Sequence, residues 1–256
     1  MCPWVPAAFF EDILRAWSRE LSEECNLLCD VTASGPSREQ FQQGSDPLSS
    51  GRAEAGVICA PTLIWASQNQ PPRLTLAGWT PVFEEVHRPI YHSLVIVRKD
   101  FPAESLEDLR RARWCFNDPC SLSGYFSILT SMDKDDAASL VKRARFSGGH
   151  MESLALVARG EADACAVDSN GWLIHGRDSN EAWSGLRAIV KLGPFPTQPF
   201  VLSAAITPQR QRLLRQSLQR VAHDPTLLEH LRQRYSLVRF VPTRMEDFES
   251  LQRRLT

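Results

Sequence analysis

From Phe9 the apolar residues Phe9, Ile13, Trp17 and Leu21 recur every four positions, with Glu11, Arg15 and Glu20 between them. That spacing places one apolar stripe along a helix of about four turns. Thr32 to Ser50 is polar and rich in turn formers, with Gly35-Pro36, Gly44, Asp46-Pro47 and Ser49-Ser50, and reads as a loop holding at most a short helix. Ala55 to Cys59 is a short apolar run suited to a buried strand. Beyond Pro89 the period alternates. Strands are predicted at Leu94–Val97, Arg113–Phe116, Ala144–Phe146 and Ala164–Val167. Between them come a short helix opened by Ser105-x-x-Asp108 and ending near Arg111, a helix from about Gly124 to Met132, and one from about His150 to Arg159. Such alternation predicts an α/β fold with a mainly parallel sheet and helices on both faces. The last quarter is helical: Thr207-Pro208 caps a helix carrying Leu214, Leu218 and Val221, and Thr243-x-x-Glu246 is a capping box ahead of Met245, Phe248, Leu251 and Leu255.

Turn-forming pieces at His87-Arg88-Pro89 and Gly193-Pro194-Phe195-Pro196 bracket the alternating block. The chain is therefore expected to leave one lobe, build a second and return, with residues 1–90 plus 193–256 in lobe 1 and 91–192 in lobe 2. Two crossing segments of this kind make a natural hinge.

Composition narrows the partners. A chain of 256 residues with 43% hydrophobic residues and a net charge of −1 is neither disordered, collagenous nor a coiled coil. Without a run of Lys or Arg there is no electrostatic footprint for nucleic acid or an anionic membrane. The longest mostly apolar stretch, Ala55 to Ala66, is broken by Pro61 and falls short of the ~20 residues a membrane span needs. Met1 to Pro6 lacks the basic and apolar regions of a secretory leader. The seven cysteines are odd in number and scattered, and Cys59 and Cys165 lie in apolar runs, a pattern of reduced, buried thiols. As written the chain reads as cytoplasmic, or as periplasmic if a leader has been removed. Cys25 and Cys29 have helical spacing but no further ligands for tetrahedral zinc, so buried thiols are the better reading. No phosphate-binding Walker loop, nucleophile elbow, zinc-protease helix or dinucleotide fingerprint is present. No cofactor, metal or catalytic residue is assigned.

The candidate chemistry lies in loops. Phe116 to Tyr125 reads Phe-Asn-Asp-Pro-Cys-Ser-Leu-Ser-Gly-Tyr where a strand ends and a helix begins, a place where exposed helix amides receive anions. Ser121 and Ser123 would add hydroxyls and Gly124 would let the backbone approach closely, although the serines serve equally as plain caps. Phe146-Ser147-Gly148-Gly149-His150 is a second strand-to-helix turn, its His able to donate to an anion or to sit idle at the surface. Asp168 ends an apolar strand at the same sheet edge, as a ligand acceptor or as the cap of the next helix. Tyr91 and Ser93 precede the strand at Leu94 and would reach a cleft if this tract is a crossing segment.

Taken in order, Tyr91-x-Ser93, Asn117-Asp118-Pro119-x-Ser121-x-Ser123-Gly124-Tyr125, Ser147-Gly148-x-His150 and the tract Gly160 to Asp168 resemble the phosphate, phosphite and phosphonate binding proteins of ABC transporters, PhnD-type members of the type II periplasmic-binding-protein fold. The likeness extends to Leu192–Pro199 and Arg239–Pro242. It implies two α/β lobes closing on a small oxyanion-containing ligand, with Tyr91, Ser121, Ser123, His150 and Asp168 in contact with it. Leu122 would offer only a backbone N–H, and Thr62 or Trp65 would take the place of a first-lobe aromatic hydroxyl. The implied partner is an ABC transporter permease or a signalling partner. The leading expectation is a solute-binding protein without catalysis. Its rivals are a cytosolic enzyme on the same fold, with His150 and Asp168 as an acid–base pair, and a ligand sensor.

Overall fold

The opening apolar stripe folds as helix α1 (Ala7–Cys25), in which Ile13, Trp17 and Leu21 are buried. The computed structural model describes residues 7–25, 38–69, 71–178 and 183–255. The side chains of Phe9 and Cys25, with Cys2, Cys29 and residues 32–37 of the first polar loop, lie outside what it describes. Then follow α2 (Arg38–Gln43), β1 (Ala55–Val57), α3 (Ala60–Ser67), β2 (Leu74–Leu76), β3 (Trp79–Phe83) and β4 (Ile90–Arg98). Next come β5 (Trp114–Phe116), α4 (Ser127–Leu129), α5 (Lys134–Arg143), β6 (Arg145–Phe146), α6 (His150–Ala158), β7 (Ala164–Asp168), α7 (Ser169–Asp178) and β8 (Leu186–Pro196). The chain closes with β9 (Phe200–Ser203), α8 (Pro208–Ala222), α9 (Pro225–Tyr235), β10 (Leu237–Pro242) and α10 (Glu249–Leu255).

The chain divides into two compact units: Met1–Ile90 with Pro196–Thr256, and Tyr91–Phe195. In the first, β1, β9 and β2 form an antiparallel sheet and β10 pairs antiparallel with β3. Phe200 on β9 is met edge-on by Phe10 and Trp17 of α1, and the Trp17 indole donates to Ser217 Oγ on α8 at 2.8 Å. Thr207 caps α8 by accepting from the Arg210 amide. Near the C-terminus the expected box shifts by one residue: Asp247, not Glu246, accepts from the Arg244 amide at 2.8 Å. The intervening turn is 3₁₀, spanning Met245–Phe248, and its tighter winding brings the carboxylate three residues on from Arg244 over the open amide.

The second unit is one five-stranded sheet in the order β6-β5-β7-β4-β8. Its central strands alternate between two cores. Val95, Val97, Trp114, Phe116, Ala164 and Ala166 face one side with Ile128 and Leu140 of the covering helices. Ile96, Cys115, Cys165 and Val167 face the other with Leu154, Leu156 and Val157 of α6. The sheet is mixed rather than mainly parallel: β5 runs parallel to β6 and β7, but β4 is antiparallel to β7. The helical block expected from Gly124 to Met132 also differs. It starts earlier, as one wide π turn over Leu122–Phe126, and ends with the single turn of α4. Cys59, Cys115, Cys120 and Cys165 are buried free thiols.

Ile96, with no exposed surface, sits at the centre of one of these cores. Ile96→Ala is expected to lower stability by about 2–5 kcal/mol through lost burial and an unfilled cavity, read as a lower urea midpoint at an unchanged slope.

Candidate functional site

Strand direction gathers the candidate residues of the second unit. Because β5, β6 and β7 are parallel, the loops after them leave from one sheet edge. Because β4 runs antiparallel to β7, with Ser93 opposite Asp168, the start of β4 lies at that same edge. Tyr91 and Ser93 therefore belong to β4 itself instead of preceding it.

The loop after β5 is shaped by two close approaches. Ser121 is extended and its Oγ accepts from the Gly124 amide at 3.0 Å, so this serine caps the helical turn. A Cβ on Gly124 would lie 1.7 Å from Asn117 Oδ1 and 3.1 Å from His150 Cε1, so only glycine fits. Ser123 is buried; its Oγ stands 3.4 Å from His150 Nε2, and Asn117 Nδ2 stands 3.5 Å from the same nitrogen. Ser93 Oγ donates to the Ser123 carbonyl at 2.6 Å, and Ser127 Oγ reaches both that carbonyl and Ser93 Oγ. A buried hydroxyl ladder thus ties the start of β4 to the loop.

The loop after β6 is held by backbone: the Ser147 and Gly148 amides donate to the Phe116 and Asn117 carbonyls. Gly148 turns there at φ +92°, which favours glycine, and His150 opens α6. Ser147 Oγ and Ser153 Oγ are 2.7 Å apart. Asp168 is buried and its Oδ1 accepts from the Asn170 and Gly171 amides, so it also caps α7. The His92 amide donates to Ser169 Oγ, and burial followed by the nearby Lys191 charge holds the His92 imidazole below its usual range. Burial pushes the Asp118 carboxyl up to about 6, against the opposing bond from the Cys120 amide at 2.5 Å.

Tyr91, Leu122 and Tyr125 belong to the same unit. The Tyr91 ring is buried, its centroid 6.0 Å from that of Phe195. Tyr125 packs edge-on against Phe116 and beside Phe146, and Leu122 is buried. Thr62 and Trp65 belong to the first unit, in α3, where Thr62 is buried. Among the described residues no cluster of three or more His, Cys, Asp or Glu side chains could hold a metal. Sequence reasoning gave no role to Asn117, Ser127 or Ser153. Ser127 was detectable, since it follows Ser123 by one helical turn, whereas Asn117 becomes visible only through the loop that folds over it.

Two outcomes follow. Gly124→Ala is expected to cost about 1–3 kcal/mol through overpacking, and combining it with Asn117→Ala should cost less than the sum of the two single changes in a double-mutant denaturation cycle. For Asp118, the unfolded carboxyl titrates near 3.9 and the folded one near 6. The folded state therefore holds the proton more tightly, and stability falls as pH rises between those values. Asp118→Asn removes that fall, so its urea midpoint should exceed the parent's at pH 7 and not at pH 4.

Residues 46–248 match a model of the family described as ABC transporter, phosphonate, periplasmic substrate-binding protein. Among curated proteins none matches the chain in sequence. Among solved structures the chain resembles a binding component of an ABC phosphonate transporter from Pseudomonas aeruginosa, at TM-score 0.74 and 16% identity over 96% of this chain and 80% of that one. It also resembles PhnD1 from Prochlorococcus marinus, solved with methylphosphonate, at TM-score 0.73 and 15% identity over 99% and 94%. A Xanthomonas citri protein bound to ATP follows at TM-score 0.69 and 16% identity over 97% and 94%. These likenesses establish a type II periplasmic-binding-protein fold of two α/β lobes.

Proposed function

Because the chain belongs to the family of periplasmic phosphonate substrate-binding proteins of ABC transporters, we propose that it captures a small phosphonate, phosphate or phosphate ester without chemical change and hands it to a transporter permease in the periplasm. The observation that carries this reading is the convergence of Ser93, Ser123, His150 and Asp168 at one edge of the second unit's sheet, beside the glycine-opened turn at Gly124. Backbone amides and hydroxyls there suit an oxyanion, which a chain with a net charge of −1 must attract by local donors. Ser121 and Leu122 would contribute through the turn they open. Among the described residues no helix is long and apolar enough to cross a membrane. The bound molecules of the neighbouring structures, methylphosphonate and ATP, set the size range to test.

Titration calorimetry with methylphosphonate, inorganic phosphate and ATP should give saturable binding of at least one, at one per chain. Ser123→Ala or His150→Ala is expected to weaken it about 10- to 100-fold, the range for a hydrogen bond to a charged group. Unchanged affinity in both variants would overturn the site, and a new phosphorus resonance after incubation would overturn binding without turnover.

A further inference from the structure

The polar edge of the second unit has a cationic neighbour on the other face of β4. Side chains alternate along a strand. Val95 and Val97 point into the core that holds Trp114, whereas Leu94 and Ile96 meet the core covered by α6, so His92 shares its face with Leu94 and Ile96. The adjacent strand is β8, at the end of the sheet. Its direction follows from its two ends: the Lys99 amide donates to the Gly185 carbonyl, and the Tyr91 and Phe195 rings lie 6.0 Å apart, so β8 runs antiparallel to β4. Val190 and Leu192 pack with Val95, which turns Lys191, between them, to the face that carries His92. The two groups feel each other, since after burial the Lys191 charge is what holds the His92 imidazole low.

Both side chains stand ready for a partner. Lys191 is exposed and enters no ion pair among the described residues, unlike Arg187 of the same strand, which pairs with Glu104 at 2.8 Å. The His92 ring is partly buried, and its Nδ1 has no hydrogen-bond partner among the described residues. The backbone of His92 is fixed at the edge, its amide donating to Ser169 Oγ at 3.0 Å. The next residue, Ser93, bonds the Ser123 carbonyl, so a single step along β4 separates this face from the oxyanion turn. From this geometry, and resting on the reading of the edge as an oxyanion site, we propose that Lys191 and His92 form a second anion subsite, which selects a phosphonate or phosphate ester bearing another negative group a short spacer away. The first group is then held by hydroxyls and amides, and the second by an ammonium whose flexible stem adapts to the spacer. In a chain with a net charge of −1, Lys191 also supplies the local positive potential that draws such a ligand in.

Matched probes test this by calorimetry: methylphosphonate against phosphonoacetate, and phosphate against pyrophosphate, each pair differing by one anionic group. The second member of at least one pair should bind about 10-fold or more tightly than the first, and added salt should shrink that ratio. Lys191→Gln should bring the ratio near one, while Lys191→Arg keeps most of it. A readout without ligand comes from proton spectra of the imidazoles, with His92 assigned by its loss in His92→Gln. Its titration midpoint should rise in Lys191→Gln, because a like charge has gone. Equal affinities within both pairs, a ratio unchanged in Lys191→Gln, or an unmoved His92 midpoint would overturn the second subsite and leave the oxyanion reading standing. Binding of none of the four probes would overturn the oxyanion reading, and the subsite with it.

Discussion

The antiparallel pairing of β4 with β7 is the constraint on which the candidate site depends. In an all-parallel sheet the start of β4 would lie at the opposite edge from the loops that follow β5, β6 and β7. Reversed, it sets Ser93 across from Asp168 and lets a strand that has just entered the unit deliver its first side chains beside those loops. The same reversal gives Ser93 Oγ its acceptor, the Ser123 carbonyl, so strand direction and hydroxyl network support each other.

The edge concentrates polar groups where water is excluded. Ser93, Asn117, Ser121, Ser123, Ser127, Ser153 and Asp168 are all buried. Buried polar atoms are costly unless bonded, and here most are held by helix amides, carbonyls or each other. That arrangement fixes the loops before any ligand arrives, which reduces the ordering cost of binding. It also explains why Gly124 tolerates no side chain: the turn closes onto Asn117 and His150 with no spare volume.

Much of this was legible in the chain. The alternation of strand and helix between Leu94 and Val167, the caps at Thr207 and Ser105, and the polar strings at Ser121–Gly124 and Ser147–His150 depend on neighbours a few residues apart, where local backbone preferences act. The reciprocal bonds of Ser105 and Asp108 and the cap formed by Thr207 show those preferences realised. The family resemblance rested on the same strings, and the family match spans residues 46–248, which include them.

What sequence left open were choices made at a distance. Whether Ser121 and Asp168 cap helices or await a ligand was undecidable from their own neighbourhoods, because a side-chain oxygen beside a helix start suits both. The folded chain uses Ser121 Oγ and Asp168 Oδ1 as caps. The direction of β4 depended on long-range pairing with a strand some seventy residues later, and Asn117 gained its role only when the loops bearing Gly124 and His150 folded over it. Periodicity and capping follow from local sterics and hydrogen bonding and so are written in the chain. Strand direction and side-chain proximity across loops are settled by which packing buries the most apolar surface while leaving the fewest polar atoms unbonded, and only the tertiary structure expresses that.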